Sequence, residues 1–582
     1  MRKDRWTALL AVFMIIAAGN YSQAGTKKDP RFTDVDKIFA EWDKPDTPGC
    51  AVGLIEKGKL IYAQGYGMGN LDYNIPMTPR SVVYIASTSK QFTAACVALL
   101  ILKGEISLED DIRKYFPEIP EYGNPIKVKN LIHHTSGIRD YLGLMALAGL
   151  SYEDYFDNDT AVEWIARQKA LNFAPGQEFN YSNSGYVLLA ELVKRVSGKT
   201  LRKFAAENIF KPLGMADSQF NDDRSLVVKN RVISYRPRED EADGAPKKGD
   251  NKSGEKKEIK EVKEYRQFLK NFDAVGDGDL LTTVEDLFKW DQNFYDKKVG
   301  GDNFIDLLLT KGKLNNGKEL DYAFGLFHGE YKGLKTVSHG GGMLGFRTEI
   351  IRFPEQEFTV ICLSNLATFN PSEKCKKVAD IFLADRLKTE SKTGDKGEGA
   401  AAAPVRVDRA VLDSYAGKYR LSVGPVIAIT REEEILLVEV SGQPKMSLKA
   451  LSQTDFVDEK AGLRLSFRKD EKSGEIRLGL QAQGMELTAE KLAIKSPAAE
   501  QLQAYTGDYA SAELDSVYTL YLDGDKLMVR VKKNPPLLLE MTDNDTFAAS
   551  EFRLVFQRNP GNQISGFTLD AGRVKNLVFQ KK

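Results

Sequence analysis

The chain has 582 residues, 42% of them hydrophobic and 28% charged, with 82 Lys+Arg balanced by 82 Asp+Glu. That length exceeds a single compact core, so two to four domains are expected. The balanced charge excludes the basic surplus that nucleic-acid binding draws on, and the apolar share is that of ordinary globular material.

The N-terminus runs "MRKDRW", "TALLAVFMIIAAG", "NYSQAG". A basic start, a short apolar run and small residues at Ser22 and Ala24 read as a signal peptide over residues 1–24, cleaved after Ala24. The apolar run is shorter than the roughly 20 residues a membrane helix needs, and no later stretch reaches that length. The mature protein is therefore expected in the periplasm or secreted, without a membrane span. Cys50, Cys96, Cys362 and Cys375 are few and scattered, and buried free thiols are expected. No Cys/His spacing points to a metal site, and no cofactor is expected.

"CAVGLIE" (50–56) and "KLIYAQGY" (59–66) read as a β-hairpin, and "TEIIRF" (348–353) with "FTVICLSNL" (358–366) as a second. A helical run follows from Ser372 to about Leu387. Strands at both ends of a helix-rich middle predict one α/β domain over residues 25–387, with its sheet closed by N- and C-terminal strands. Within it, 236–264 is almost wholly charged or small and reads as a solvated loop. Residues 388–407, polar and then small, read as a linker. Beyond it the chain repeats. "LDSYAGKY" from Leu412 returns as "LQAYTGDY" from Leu502, and "LRLSFR" (463–468) as "FRLVFQ" (552–557), offset by 90 and 89 positions. Two matching landmarks at nearly one offset predict a duplicated all-β module, a small barrel or sandwich over 408–495 and another over 496–582.

The spacing Ser-x-x-Lys occurs three times, at Ser87/Lys90, Ser253/Lys256 and Ser466/Lys469. Only the first heads a helical apolar run, where positions i and i+3 share a face and the amine reaches the hydroxyl. A helix N-terminus and burial both disfavour the ammonium, so a neutral Lys90 would accept the Ser87 proton. An ordinary helix start with a surface lysine has the same spacing. "EFNYSN" then places Tyr181 and Asn183 two apart ahead of a helix from Ser184, a phenol able to relay protons and an amide able to hold a carbonyl. A buried tyrosine bonding its own backbone reads equally well. "VSHGGGMLGFRTEI" sets His339 before Gly340, Gly341 and Gly342 and leads into a strand. Glycines there let free N–H groups face an oxyanion, or merely make a turn beside a surface histidine. His133, His134 and His328 read as structural.

Taken in order, Ser-Thr-Ser-Lys at 87–90, Tyr-Ser-Asn at 181–183 and His-Gly-Gly at 339–341 resemble the three motifs of the serine β-lactamase and penicillin-binding protein fold. The likeness is closest to its class C, D-aminopeptidase and esterase branch and covers roughly residues 32–387. "LIHHTSGI" and "VGDGDLLTTVEDLFKW" are similar to stretches of the same family. The resemblance implies that Ser87 is acylated, Lys90 activates it, and Tyr181 is the general base that then protonates the leaving group. Asn183 would orient substrate and lysine, and the N–H groups of Ser87 and Gly342 would form the oxyanion hole. Antibiotic-hydrolysing members carry lysine where this chain has His339. That departure favours hydrolysis of a D-amino-acid peptide, amide or carboxylic ester in the cell envelope. The alternatives are a β-lactamase or DD-carboxypeptidase, and a non-catalytic binding or scaffold protein. A small molecule or short peptide is the expected substrate. The tail looks like the lipocalin-like barrels appended to some relatives.

Overall fold

The computed structural model describes residues 29–238, 264–388 and 405–582, the last without 422–425, 441–444, 459–462, 470–474, 483, 484, 494, 496, 550 and 551. The expected signal peptide, nearly all of the charged run 236–264 and most of the linker 388–407 lie outside the described residues, as does Ser253/Lys256.

The chain enters through helix α1 (Arg31–Phe39) and the hairpin β1 (Cys50–Glu56) and β2 (Lys59–Tyr66). A largely helical middle includes α2 (Lys90–Leu102), α3 (Asn183–Ser197) and α4 (Val284–Asp296). Strands β3 (Phe327–Tyr331), β4 (Leu334–Met343), β5 (Phe346–Phe353) and β6 (Phe358–Ser364) then lead to α5 (Pro371–Phe382). The sheet order is β3-β4-β5-β6-β1-β2, antiparallel throughout. The first strand of the chain thus pairs with β6, as the two hairpins suggested. Both faces of β1 are covered. Cys50, Val52 and Leu54 pack with Val35 and Phe39 of α1 and Phe382 of α5, while Ala51 and Ile55 join the cluster that contains Val284 of α4. Burial on both sides removes the polar half of the usual alternation and leaves an unbroken apolar run. All four cysteines are buried and unpaired. No helix among the described residues is long and apolar enough to cross a membrane.

The tail forms two closed eight-stranded barrels, each a meander of neighbouring strands, running from Gly417–Leu421 to Met485–Lys491 and from Gly507–Ser511 to Val574–Lys581. Of the barrel and sandwich readings, the closed barrel is the correct one. The repeated motif is equivalent atom for atom in the two copies. The Tyr419 phenol donates to the Tyr415 carbonyl at 2.8 Å, and the Tyr509 phenol to that of Tyr505 at 2.8 Å. Lys491 donates to the carbonyl of Ser414, and Lys581 to that of Ala504. Leu463, Leu465 and Phe467 point inward in the first barrel, as Leu554 and Phe556 do in the second, which is the period-two pattern of a filled barrel. The same alternation puts Ser466 and Lys469 on opposite faces of their strand, away from any shared chemistry.

The barrels differ in what they touch. The first has an apolar cluster of its own, whereas that of the second is continuous with the N-terminal α/β domain. Arg139 is the chief polar link. Its buried guanidinium pairs with Glu513 at 2.7 Å, donates to Gln168 at 2.9 Å, and bonds the carbonyls of Lys575 and Asn576 at 3.0 and 2.9 Å. The Tyr518 hydroxyl donates to the Leu147 carbonyl at 2.7 Å, and Asn172 bonds the backbone of Arg573 and Lys575.

Candidate active site

Residues Ala86–Ser89 form a 3₁₀ turn that leads straight into α2. Ala86 sits in the left-handed region at φ +48°, a conformation that costs an alanine about 1–3 kcal/mol and persists only when neighbours hold it. They do. The Ile85 carbonyl accepts from the Thr348 hydroxyl at 2.9 Å, Thr88 donates to the His339 carbonyl at 3.2 Å, and the Ser89 hydroxyl accepts from the Leu280 N–H at 3.1 Å. From Ser81 to Leu100 every residue is buried except Ser87. The turn therefore presents one hydroxyl from an otherwise closed surface.

Lys90, fully buried, brings Nζ to 3.2 Å from Ser87 Oγ and 2.9 Å from Asn183 Oδ1, and also bonds the Asp277 carbonyl. Two of these contacts are donated by Nζ to carbonyl oxygens, whereas Ser87 Oγ, a hydroxyl, is able both to accept from Nζ and to donate to it. Nζ also lies 4.9 Å from the centre of the Tyr181 ring, whose buried hydroxyl has no hydrogen-bond partner. The loop carrying Tyr181 and Asn183 is held from behind. His134 Nδ1 accepts from the Ser182 N–H at 3.1 Å, and Asp140 Oδ2 accepts from the Asn183 N–H at 2.7 Å.

These groups face a cleft of about 750 Å³, lined among others by Ser87, Tyr181, Asn183, Gly342, Arg347 and Arg573. None of the third motif's His339, Gly340 and Gly341 lines it, and Gly342, the residue after that motif, does. The glycines, read as a turn ahead of a strand, lie inside β4 itself. Gly341 is required there by close packing, because a Cβ would stand 2.3 Å from the Ile85 carbonyl of the nucleophile turn. A Cβ at Gly340 would stand 2.8 Å from the Glu349 carboxylate. His339 lies behind the cleft wall, 2% exposed, with Nε2 3.2 Å from the Tyr322 hydroxyl and Nδ1 2.7 Å from the Gly340 carbonyl. Burial, then the nearby Lys90, pull its pKa down to about 3, so the imidazole is neutral at pH 7.

Four participants escaped the sequence reading: Asp140, Asp277, Arg347 and Arg573. Asp140 also caps the helix Tyr141–Leu147, accepting from the Gly143 N–H at 3.2 Å, and the short apolar run after it is the signal that marks it. Asp277 lies in the tight "VGDGD" turn, where burial pushes its carboxyl up to about 6. The two arginines carry no local signature.

His133 and His134, like His339, are buried with lowered pKa values. Burial is the first cause in each, and it takes His133 to about 4. Unfolded imidazoles take up protons near pH 6.5. Between there and about pH 4 the unfolded chain binds more protons than the native one. The stabilisation is complete above pH 6.5 and is lost as pH falls, by up to about 1.4 kcal/mol per pH unit per group. Melting temperatures should drop between pH 7 and 5, and His133→Gln should make that drop shallower. An unchanged slope in that variant removes His133 from the explanation.

A penicillin-binding protein of Bacillus subtilis is 29% identical over 406 residues, 69% of this chain and 86% of that one. A D-aminopeptidase of Brucella canis is 25% identical over 547 residues, 92% of this chain and 96% of that one, so the likeness extends through the barrels. The structure of an octameric penicillin-binding protein homologue from Pyrococcus abyssi superposes with a TM-score of 0.52 at 20% identity, covering 80% of this chain and all of that one, and shares the fold. The Beta-lactamase family model matches residues 35–384, well over half of the chain, and the protein belongs to that family.

Proposed function

We propose that the protein is a serine hydrolase of the cell envelope that cleaves amides or esters of D-amino acids through an acyl-enzyme on Ser87. One observation carries the reading. Ser87 is the single open hydroxyl of a buried turn, and it shares its cleft with Lys90-bound Asn183 and the unpartnered Tyr181 hydroxyl. In this mechanism Ser87 Oγ attacks the substrate carbonyl as its proton passes to the lone pair of Lys90 Nζ, 3.2 Å away. Bonds to Asn183 Oδ1 and the Asp277 carbonyl hold Lys90 Nζ turned to Ser87. The N–H groups of Ser87 and Gly342 face the oxyanion, a donor of this kind being worth about 3 kcal/mol of barrier. The Tyr181 hydroxyl, which has no competing bond, gives its own proton to the leaving amine or alcohol and is reprotonated from Lys90. Water then attacks the acyl carbon, and the carboxylic acid leaves with the serine restored.

D-amino-acid substrates are supported by the similarity to the Brucella D-aminopeptidase over 92% of this chain. A neutral His339 behind the wall takes a cation away from the position where antibiotic-hydrolysing relatives have lysine, which favours amides and esters over β-lactams. The N-terminal basic and apolar run supports export to the periplasm or beyond. The meander topology of the barrels supports a lipocalin-like module. A panel of p-nitrophenyl esters, D- and L-amino-acid p-nitroanilides and nitrocefin tests the reading. Turnover of esters and of D- over L-anilides is expected, with nitrocefin slow. Fast nitrocefin hydrolysis would replace it with a β-lactamase, and no hydrolysis at all with a binding protein.

A further inference from the structure

The Tyr181 hydroxyl has no hydrogen-bond partner among the described residues, so no bond at the tip of this side chain fixes where it points. A group that must meet a reacting atom then has to be held from elsewhere, because a displacement of about 1 Å costs roughly 100-fold in rate. His134, in the "LIHHTSG" turn, touches four successive residues of the Tyr181 loop. Its ring packs edge-on against Phe179 at 5.9 Å, and its carbonyl accepts from the Asn180 N–H at 2.9 Å. The same ring lies over that of Tyr181 at 4.2 Å and 32°, and Nδ1 accepts from the Ser182 N–H at 3.1 Å. Lys90 and Arg573 also lie 4.9 Å from the Tyr181 ring centre, but among the described residues the side chain of neither bonds the backbone that carries it.

The residue type fits that task. Phenylalanine would offer the ring without the acceptor, and asparagine the acceptor without the ring. Accepting at Nδ1 puts the proton of a neutral imidazole on Nε2, and that buried donor has no partner among the described residues, a cost that phenylalanine would avoid. Burial first, then Lys90, His339, Arg573 and His133, hold the His134 pKa well below its usual value, so the acceptor lone pair is present at pH 7. The backbone is committed as well. His134 sits in the left-handed region at φ +55°, which a residue other than glycine adopts under constraint. Thr135 supplies that constraint, its N–H donating to the Asn130 carbonyl at 2.9 Å and its own carbonyl accepting from the Gly176 N–H at 2.7 Å. We propose that His134 is a positioning residue, which aims the Tyr181 hydroxyl at the leaving group by holding the ring and the amide on either side of it. The proposal rests on the acyl-enzyme reading above, in which Tyr181 supplies that proton.

The test compares D-alanine p-nitroanilide with D-alanine p-nitrophenyl ester. Both form the same acyl-enzyme, but p-nitrophenolate leaves unaided, whereas the aniline must be protonated as it departs. His134→Asn, which keeps an acceptor near Nδ1 and tolerates the left-handed backbone, should lower kcat/KM for the anilide by about 10- to 100-fold and for the ester by less than about 3-fold. Added to Tyr181→Phe it should lower anilide turnover no further, because its effect passes through the phenol. His134→Phe, which keeps a ring against Tyr181 and leaves the Ser182 N–H without an acceptor, should give a smaller fall in the anilide-to-ester ratio and serves if the asparagine variant does not fold. Equal losses on both substrates, no loss, or an undiminished loss in the Tyr181→Phe background overturns the proposal. A wild-type protein that cleaves neither substrate removes the acyl-enzyme reading instead. The crystal structure of His134→Asn protein then decides the positioning: a Tyr181 ring displaced by about 1 Å or more keeps His134 as its holder, and an unmoved ring overturns it. Cleavage by the wild type with a ratio that His134→Asn does not change keeps the acyl-enzyme and removes this role.

Discussion

Ser87→Ala protein should lose ester and amide hydrolysis by at least about 10⁴-fold and stop reacting with a fluorophosphonate probe, while melting at the wild-type temperature. The expectation follows from the way the turn is built. Every other residue from 81 to 100 is buried, and the strained Ala86 is held by bonds to Ile85, Thr88 and Ser89 that do not involve the Ser87 hydroxyl. Removing that oxygen takes one acceptor from Lys90 and leaves Asn183 and Asp277 in place. Residues that act as a unit lose their effects together, so Ser87→Ala/Lys90→Ala should be little worse than Ser87→Ala alone. Probe labelling that persists in Ser87→Ala protein would move the nucleophile elsewhere.

Arg139→Ala should cost about 3–5 kcal/mol and split thermal unfolding into separate transitions as the second barrel loosens. Side-chain exposure in the Arg139–Glu513 pair is 0% and 5%, so truncating one partner strands the other in the interior. Two barrel carbonyls and Gln168 lose their donor in the same step. The double variant Arg139→Met/Glu513→Leu should recover much of the loss, because an apolar pair leaves no charge behind. Differential calorimetry measures both. A single unshifted transition in Arg139→Ala would show that the barrel is held by its other contacts. Because Arg573 belongs to the same docked edge, turnover should fall with the barrel's attachment.

What could be read in the sequence was what local chemistry writes along the chain. Burial on both faces made β1 and β6 unbroken apolar runs, and two landmarks offset by 90 and 89 residues announced the duplication before any fold was considered. Ser87, Lys90, Tyr181 and Asn183 stood out because each heads a helix or the loop before one. The glycine run was harder. Three glycines resemble a turn, and only the approach of Ile85 explains why they lie inside a strand. Nor does a histidine reveal from its neighbours in sequence whether it faces solvent, and His339 is neutral because of side chains packed around it. Arg139, Asp140 and Arg573 acquire their roles from partners on other elements, up to 437 positions away for Arg139 and Asn576, and no short window of sequence contains both ends.

That separation has a consequence for how the molecule comes into being. Contacts that close very long loops form late, since the ordering of the intervening chain must come first. The helices and sheet that carry Ser87 and Tyr181 are completed by Phe382, before either barrel begins. The wall that Arg573 supplies arrives only when the last barrel has closed and seated itself. Formation of the catalytic fold and formation of its finished cleft are thus two events in time, and catalytic competence belongs to the second.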